Sequence, residues 1–283
     1  MSTLILGTFD GVHVAHRQLI DEALSQKEAV IACTFDAPYS KAPLLTLFDE
    51  KLALLKEAGV KDVYINSFSD IKDMPCEEYI RMLNERFKPR TIITGFNHRF
   101  GKNAAGTPAT LYRLGGELGF TVKTILPVKD GDRIVSSTLI RSILLEGSVD
   151  EAARLLGRRY SLSGVTVHGK AIGTKIDFPT VNTAVDAQKL VPASGVYATL
   201  VKYNGRIYRG MTNIGTNPTV SDHNPATVET HIFAFNEDIY GKSVEIFFVK
   251  RVRDDKKFSS VSELKNQLIN DAVLINAYFD TLR

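Results

Sequence analysis

A chain of 283 residues is longer than one minimal core requires and fits two domains of ordinary size. Hydrophobic residues at 44% and charged residues at 24% supply enough apolar surface to offset the entropy of ordering, which excludes a disordered chain. The formal charge of +3 comes without a lysine-rich tail, so no nucleic-acid partner is expected and the mild positive balance suits small phosphorylated ligands.

The chain opens on MSTLILGTFDGVH, with no basic leader, and no stretch reaches the roughly 18 apolar residues that span a bilayer. Its two cysteines, Cys33 in an apolar run and Cys76 beside Pro75, form neither a disulfide framework nor a thiolate metal site. The expectation is a soluble cytoplasmic protein with no membrane partner, a monomer or weak oligomer.

Residues 3–9 read as a strand, Leu19, Ile20, Ala23 and Leu24 recur at helical spacing, and residues 29–35 return to strand. Thr46 is placed to cap a helix carrying Leu47, Leu52, Leu55 and Ala58, which Gly59 ends before a strand over 60–65. Pro75 opens the next helix, through Tyr79, Leu83 and Phe87, ahead of strands over 91–94 and 120–126. Such βα repeats imply a parallel sheet covered by helices on both faces, with ligands gathering beyond the carboxyl ends of the strands. Two short helices, STLIRSILLEG and SVDEAARLLG, close this half; Ser148 and Glu151 read as a capping box and Gly157 as the stop. The boundary falls close to Arg158.

Beyond it, short strand runs broken by Gly and Pro turns predict five or six strands in a small antiparallel barrel. A terminal helix over 261–279 is expected to pack across it through Leu264, Leu268 and Ile269.

Three segments of the first half carry chemistry. GTFDGVHVAH, 7–16, follows the first strand, and a histidine pair two residues apart at a helix start can present both imidazoles to one anion. Gly7, Phe9, Asp10 and Gly11 join His13 and His16 as candidates there. The same pair could merely begin a helix, or bind metal, although no carboxylate ligand pattern adjoins it. In VSSTLIR, 135–141, Ser136, Ser137 and Thr138 can cap a helix and donate to phosphate, and Arg141 lies one turn further with its bidentate fork. A plain capping signal is the other reading. In ITGFNHRFGKNAAG, 93–106, Asn97, His98, Arg99 and Lys102 sit at the ligand edge, and Phe96 and Phe100 are either core or ring contacts.

The barrel half opens with VHGKAIGTKIDFPTVN, 167–182, which lacks the GxxxxGK[ST] of a P-loop. Gly169 and Gly173 permit a tight turn whose N–H groups face a phosphate, with Lys170 or Lys175 nearby. Thr180 and Asn182, two apart on an extended run, point to one side, where their oxygens could reach a magnesium ion; an ordinary hairpin would use the same residues. Glu229 is the candidate base, or else a surface glutamate at a strand edge, and His231 shares its face as a structural or peripheral residue.

GTFDGVHVAH resembles the GxFDGVHxGH of the bacterial bifunctional riboflavin kinase/FMN adenylyltransferase (FAD synthetase) family, VSSTLIR its ISSTxIR, and GFNHRFG its segment before the fifth strand. YSLSGVTVHG, DFPTVN, PASGVYATL, NIGTNPT, VETHIF, DIYGK and RVRDDKKF are similar to its riboflavin-kinase module. The resemblance implies an α/β chain with an N-terminal Rossmann-like nucleotidylyltransferase sheet, 1–157, and a smaller C-terminal antiparallel β-barrel with a terminal helix, 158–283. It implies ATP as substrate, Mg2+, and FMN as product of one half and substrate of the other: riboflavin is phosphorylated, then AMP passes from ATP to FMN. In that reading His13 and His16 stabilise the transferring phosphate, Ser137, Thr138 and Arg141 hold the triphosphate, Thr180 and Asn182 meet magnesium and Glu229 is the base. Asn213 and Arg253 are flavin-side candidates.

Four residues depart from the family pattern: Ala15 and Asp177 stand where Gly is usual, His98 where an aromatic residue is usual, and Ile172 where a basic residue is common. They leave open a riboflavin kinase with a weakened adenylyltransferase site, or a non-catalytic flavin-sensing regulator. Pantetheine-phosphate and nicotinamide-mononucleotide adenylyltransferases share the HxxH and SSTxxR logic but leave the barrel unexplained.

Overall fold

Short β-branched runs joined by amphipathic helices build the first of two compact units, Met1–Leu139. The strands are β1 (Ser2–Leu6), β2 (Ala29–Phe35), β3 (Asp62–Asn66), β4 (Thr91–Gly95) and β5 (Thr121–Ile125). All pair in parallel, in the order β3-β2-β1-β4-β5. The helices of this unit are α1 (Val14–Ser25), α2 (Phe48–Glu57), the single turn α3 (Phe68–Ile71), α4 (Cys76–Phe87) and α5 (Pro108–Leu118). The computed structural model describes residues 2–36, 42–168, 178–215 and 226–282.

Side chains alternate along a strand, so β1 sends Leu4 and Leu6 into one apolar cluster with Tyr79, Leu83 and Leu111, and Ile5 into another with Leu19, Ile20 and Leu55. Helices cover both faces, as a fully buried parallel sheet requires. The chain passes from one side of β1 to the other between β3 and β4, which makes the ends of β1 and β4 the switch point where such sheets bind ligands.

Pro75 stands at the N-cap of α4, and Gly59, at φ +94°, terminates α2 as the sequence suggests. Thr46 is a correction. Helix α2 starts at Phe48 behind Leu47, whose N–H donates to Glu50 at 2.9 Å, because the Thr46 hydroxyl is engaged by Asp10 and Gly11 instead.

A hairpin of β6 (Lys129–Asp130) and β7 (Arg133–Ile134) leads to α6 (Ser137–Leu145) and α7 (Val149–Leu156). Gly157 ends α7 in the left-handed region at φ +71°. The expected capping box at its start does not form: Ser148 makes no side-chain cap bond, and its ψ of 64° departs from the extended backbone that aims a cap oxygen at the helix. The second compact unit is Ile140–Arg283, so the division between units falls within α6.

Six strands of that unit close an antiparallel barrel in the order β10-β11-β12-β9-β8-β13. They are β8 (Ser161–Val167), β9 (Val181–Val185), β10 (Gly195–Tyr203), β11 (Arg206–Gly215), β12 (Thr227–Ile232) and β13 (Ser243–Arg253). The interior is filled. Tyr197 and Phe248 meet edge to face at 5.2 Å, and the Thr199, Thr212 and Thr230 hydroxyls form a buried chain with spacings of 2.8 and 2.9 Å. Their mutual bonding removes most of the cost of burying hydroxyls there.

Alternate residues of β10, β11 and β13 face outward, and Val196, Ala198, Met211 and Val249 pack with α8 (Val261–Asp280) through Ile275 and Phe279. Of the three contacts expected on α8, Leu268 packs against this cluster and Leu264 lines a neighbouring cavity, whereas Ile269 is 43% exposed. The apolar stripe turns past Ile269 toward Ile275 and Phe279. No helix among the described residues is long and apolar enough to cross a membrane.

Candidate functional site

In the first unit the chain leaves β1 at Gly7 and makes a contorted turn before α1. Phe9 at φ +52° and Val12 at φ +38° occupy backbone space that costs L-residues about 1–3 kcal/mol each, beside Gly11 at φ +83°. Gly7 leaves room for the buried Phe9 ring, which would stand 3.0 Å from a Cβ at this position and would have to shift to admit one.

Asp10 holds this turn. Its Oδ1 accepts from the Leu45 N–H at 3.0 Å, the Thr46 N–H at 3.1 Å and the Thr46 hydroxyl at 3.3 Å, and the Gly11 N–H donates to Thr46 Oγ1 at 3.0 Å. The Ser137 hydroxyl donates to the Asp10 carbonyl at 2.8 Å, which brings the SST segment onto the same turn. Ser136 Oγ accepts from the Leu139 N–H at 3.2 Å, so the capping reading of this segment is correct for Ser136. Thr138 is exposed, and Arg141 lies one turn further along α6.

His13 is the N-cap residue of α1, with no side-chain cap bond, and His16 stacks on it with ring centroids 3.7 Å apart and planes 18° from parallel. Phe9 meets His16 edge-on at 5.3 Å. Burial, and then the neighbouring His13, hold the His16 pKa well below its ordinary value, so the resting imidazole is neutral. Its Nδ1 is buried without a hydrogen-bond partner among the described residues. The first-turn N–H groups of α1 add positive field at the same spot. Ala15 lies between the two histidines in the chain and is partly buried.

Lys51 is the residue that sequence reasoning missed. Its Nζ donates to Phe35 O at 3.0 Å and Thr34 Oγ1 at 3.2 Å, and burial lowers its pKa while Asp10 and Asp36 pull the other way. It brings a cation to the ends of β1 and β2.

On the β4 side, Phe100 is 4% exposed and packs with Tyr79, while Phe96 is 37% exposed and Asn97 and Arg99 are also at the surface. Of the two phenylalanines, Phe100 is core, and Phe96 is exposed just beyond the end of β4. His98 stacks on Phe100 at 5.7 Å, and burial lowers its pKa to about 4. Between that value and its ordinary 6.5 an unfolded chain takes up a proton that the folded one refuses. The resulting stability is complete above pH 6.5 and declines as pH falls toward 4, with His16 acting in the same direction. Thermal melts are expected to shift down between pH 7.5 and 5, and His98→Phe should remove up to about 2 kcal/mol of that loss. Equal pH slopes in the two proteins would show that His98 does not contribute.

In the second unit, strand pairing assembles the other candidates. Asn182 on β9 lies opposite Glu229 on β12, Glu229 opposite Asn213 on β11, Asn213 opposite Val196 on β10, and Val196 opposite Arg253 on β13. These residues form one row around the outer wall of the barrel. Thr180 donates to Glu229 Oε1 at 2.5 Å, a charge-assisted length that leaves the lone pairs of its oxygen available. A cavity of about 260 Å³ opens over the row beneath α8, with Phe178, Met211, Phe258, Leu264 and Leu268 as its apolar wall. Thr180, Asn213, Glu229 and Arg253 supply its polar groups, with Asp255 and Lys256. His231 also lines it, with Nδ1 2.8 Å from Pro179 O and its ring against Phe178. Gly169, Lys170, Ile172, Gly173, Lys175 and Asp177 lie outside the described residues, as does most of the GTNPT turn.

The hydroxyl of Thr180, the amide of Asn182 and the neighbouring Glu229 carboxylate make a set of hard oxygen donors, which fits a small divalent cation accompanied by phosphate oxygens. Among the described residues no group of three or more His, Cys, Asp or Glu side chains could hold a metal by itself. Any such ion would depend on the phosphates as well as the protein.

Comparison with known proteins also separates the two halves of the chain. A family model described as FAD synthetase matches residues 1–139, and one described as riboflavin kinase matches residues 156–279. The bifunctional riboflavin kinase/FMN adenylyltransferase of Bacillus subtilis is 31% identical over an alignment that covers 100% of this chain and 94% of that protein. The protein of the same description in Listeria monocytogenes is 31% identical, covering 99% and 93%. A crystal structure of a macrolide-efflux protein from Streptococcus pneumoniae superposes with a TM-score of 0.89 at 31% identity, over 97% of this chain and 93% of that one.

Proposed function

We propose, from the premise that the chain belongs to the bifunctional riboflavin kinase/FMN adenylyltransferase family, that each half of the chain performs one step of flavin nucleotide synthesis. The protein is an enzyme with both activities. Residues 1–157 carry adenylyl transfer and residues 158–283 the kinase reaction, in a cytoplasmic setting that suits two free, buried cysteines.

In the kinase unit, riboflavin lies in the cavity under α8 with its terminal ribityl hydroxyl at Glu229. The carboxylate takes the hydroxyl proton as the oxygen attacks the γ-phosphorus of ATP, and ADP leaves. Thr180 steadies Glu229 through the 2.5 Å hydrogen bond, so the base is oriented before substrate arrives. Magnesium, held by Thr180 and Asn182 together with phosphate oxygens, supplies charge neutralisation on the nucleotide. Gly169, Gly173 and Lys175 cradle the phosphates. The apolar wall takes the isoalloxazine ring and keeps water from the transferring phosphoryl group.

In the adenylyltransferase unit, an oxygen of the FMN phosphate attacks the α-phosphorus of ATP and pyrophosphate leaves. No base is needed, because the nucleophile is already an anion. His13 and His16 donate hydrogen bonds to charge growing on the α-phosphate, with the first turn of α1 behind them, and Ser137, Thr138 and Arg141 hold the triphosphate. The Asp10 network keeps the turn in place, and Asn97 meets the nucleotide from the β4 edge.

The observation that carries this reading is the row Asn182–Glu229–Asn213, which aligns a carboxylate with oxygen donors under a cavity of suitable size. Incubation of the purified protein with riboflavin, ATP and magnesium, followed by chromatography, is expected to yield FMN first and FAD later, with ADP and pyrophosphate released. Tight flavin binding without either co-product would overturn the enzymatic reading in favour of a flavin-sensing protein.

A further inference from the structure

Asp271, on the barrel-facing side of α8, is fully buried, and its carboxylate grips a single guanidinium. Arg253 Nε donates to Oδ2 at 2.9 Å and to Oδ1 at 3.1 Å, and Nη2 donates to Oδ2 at 2.8 Å. Gln267, one turn earlier on α8, donates to Oδ1 at 2.8 Å, and Arg253 Nη1 donates to the Asp254 carbonyl at 2.9 Å. The arginine is thus fixed by both of its neighbours in space while it lines the cavity.

Such an arrangement is a costly way to attach a helix. Asp271 is almost wholly removed from water and Arg253 largely so, which is costly for both charges, and an apolar pair of the same volume would secure α8 at least as well. The cluster of Val196, Ala198, Met211, Ile275 and Phe279 already does so. What the ion pair adds is a guanidinium held in one orientation at a chosen place in the cavity wall.

That place has a definite relation to the base. Arg253 and Glu229 occupy one row, separated by three strand-to-strand steps. At the usual strand spacing this is about 14 Å along the wall. A substrate that joins a flat ring system to an extended polyol must reach over several strands to bring its terminal hydroxyl to Glu229. Its ring end then falls at the Arg253 side, beside Phe258 and Leu268.

We propose that Asp271 is a positioning residue for the flavin substrate. It holds the Arg253 fork so that the remaining N–H donors meet carbonyl-type acceptors on the ring end of riboflavin, and so sets how far the ribityl chain reaches toward the base. The proposal rests on the kinase reading of this cavity. Arg253 contacts the substrate, and Asp271 acts through Arg253, with Gln267 supporting it.

The test is riboflavin phosphorylation kinetics in the wild-type protein, Asp271→Asn, Arg253→Ala and the double variant, with circular dichroism and a cooperative thermal melt reporting that the barrel of each chain is folded. Asp271→Asn should raise the riboflavin KM about tenfold with kcat changed less than about twofold, the mark of lost substrate positioning with the chemical step left intact. In the Arg253→Ala background the same change should have no further effect. Independent, multiplying effects in the double variant, or a fall in kcat with KM unchanged, would overturn the proposal and leave Asp271 as a helix fastening. If Asp271→Asn does not fold, Gln267→Ala replaces it: a KM rise of about two- to threefold that vanishes in the Arg253→Ala background supports the proposal, and an unchanged KM overturns it. A wild-type protein that makes no FMN would sink the kinase reading itself, which separates the two failures.

Discussion

Glu229→Gln should lower riboflavin phosphorylation by about 10²–10⁴-fold while supplied FMN is still converted to FAD. Glutamine preserves the shape and can still accept from the Thr180 hydroxyl, so the row across β9, β12 and β11 and the wall of the cavity are retained. What disappears is the capacity to take the proton from the attacking hydroxyl. The riboflavin KM should move little, since the proposed ring contacts, the apolar wall and Arg253, are unchanged. Chromatography of paired reactions, one started from riboflavin and one from FMN, reads both halves in a single preparation. Loss of FAD formation from FMN in a folded variant would mean that the two activities share a site.

His16→Ala should do the converse, lowering FAD formation from FMN by about 10²–10³-fold with riboflavin phosphorylation intact. His16 contributes a ring stacked on His13 and a hydrogen-bond donor in a place that water scarcely reaches. Donors of this kind act more strongly on a developing charge than they would in solvent, because the surroundings screen less and need not reorganise. The Asp10 network does not involve the His16 side chain, so the turn after β1 should persist in the variant. Pyrophosphate release in the presence of FMN and ATP measures the loss directly. An unchanged rate would remove the His16 imidazole from the reaction and leave His13, the helix terminus and the SST segment to bind the nucleotide.

Much of the architecture was legible because its signals are local. The βα alternation, Pro75 and Gly157 mark element ends through their own backbone preferences. The histidine pair was legible because it occupies the first turn after a strand. Thr46, by contrast, carries a cap residue's chemistry and is used otherwise, for its partner Asp10 lies 36 residues away. Lys51 stood hidden for an electrostatic reason: a cation in the first turn of a helix runs against the macrodipole, and nothing near it in the chain hints that Phe35 and Thr34 receive it. Asp271 looks like one more polar residue on an amphipathic helix, and only the fold reveals that it faces inward onto Arg253. For the candidate kinase site, the strand runs singled out Thr180, Asn182 and Glu229 separately, but their alignment depends on pairing between β9 and β12, which no periodicity encodes.

The departures noted in the sequence separate into two kinds. Ala15 and His98 are both accommodated, the first in the opening turn of α1 and the second on the Phe100 ring, so neither disrupts the turn that presents the histidines. Ile172 and Asp177 fall outside the described residues.

The threonine chain through the middle of the barrel governs what the protein can become. With Thr199, Thr212 and Thr230 bonded to one another and aromatic rings beside them, the lumen is occupied, and small molecules are confined to the exterior. Residues that hold the cylinder shut and residues proposed to meet the substrate are therefore consecutive in the chain yet on opposite sides of one wall, as Thr212 and Asn213, or Thr230 and Glu229, illustrate. A lineage can retailor its choice of acceptor on the outward positions while the inward ones remain untouched, so innovation and durability need not compete for the same side chains.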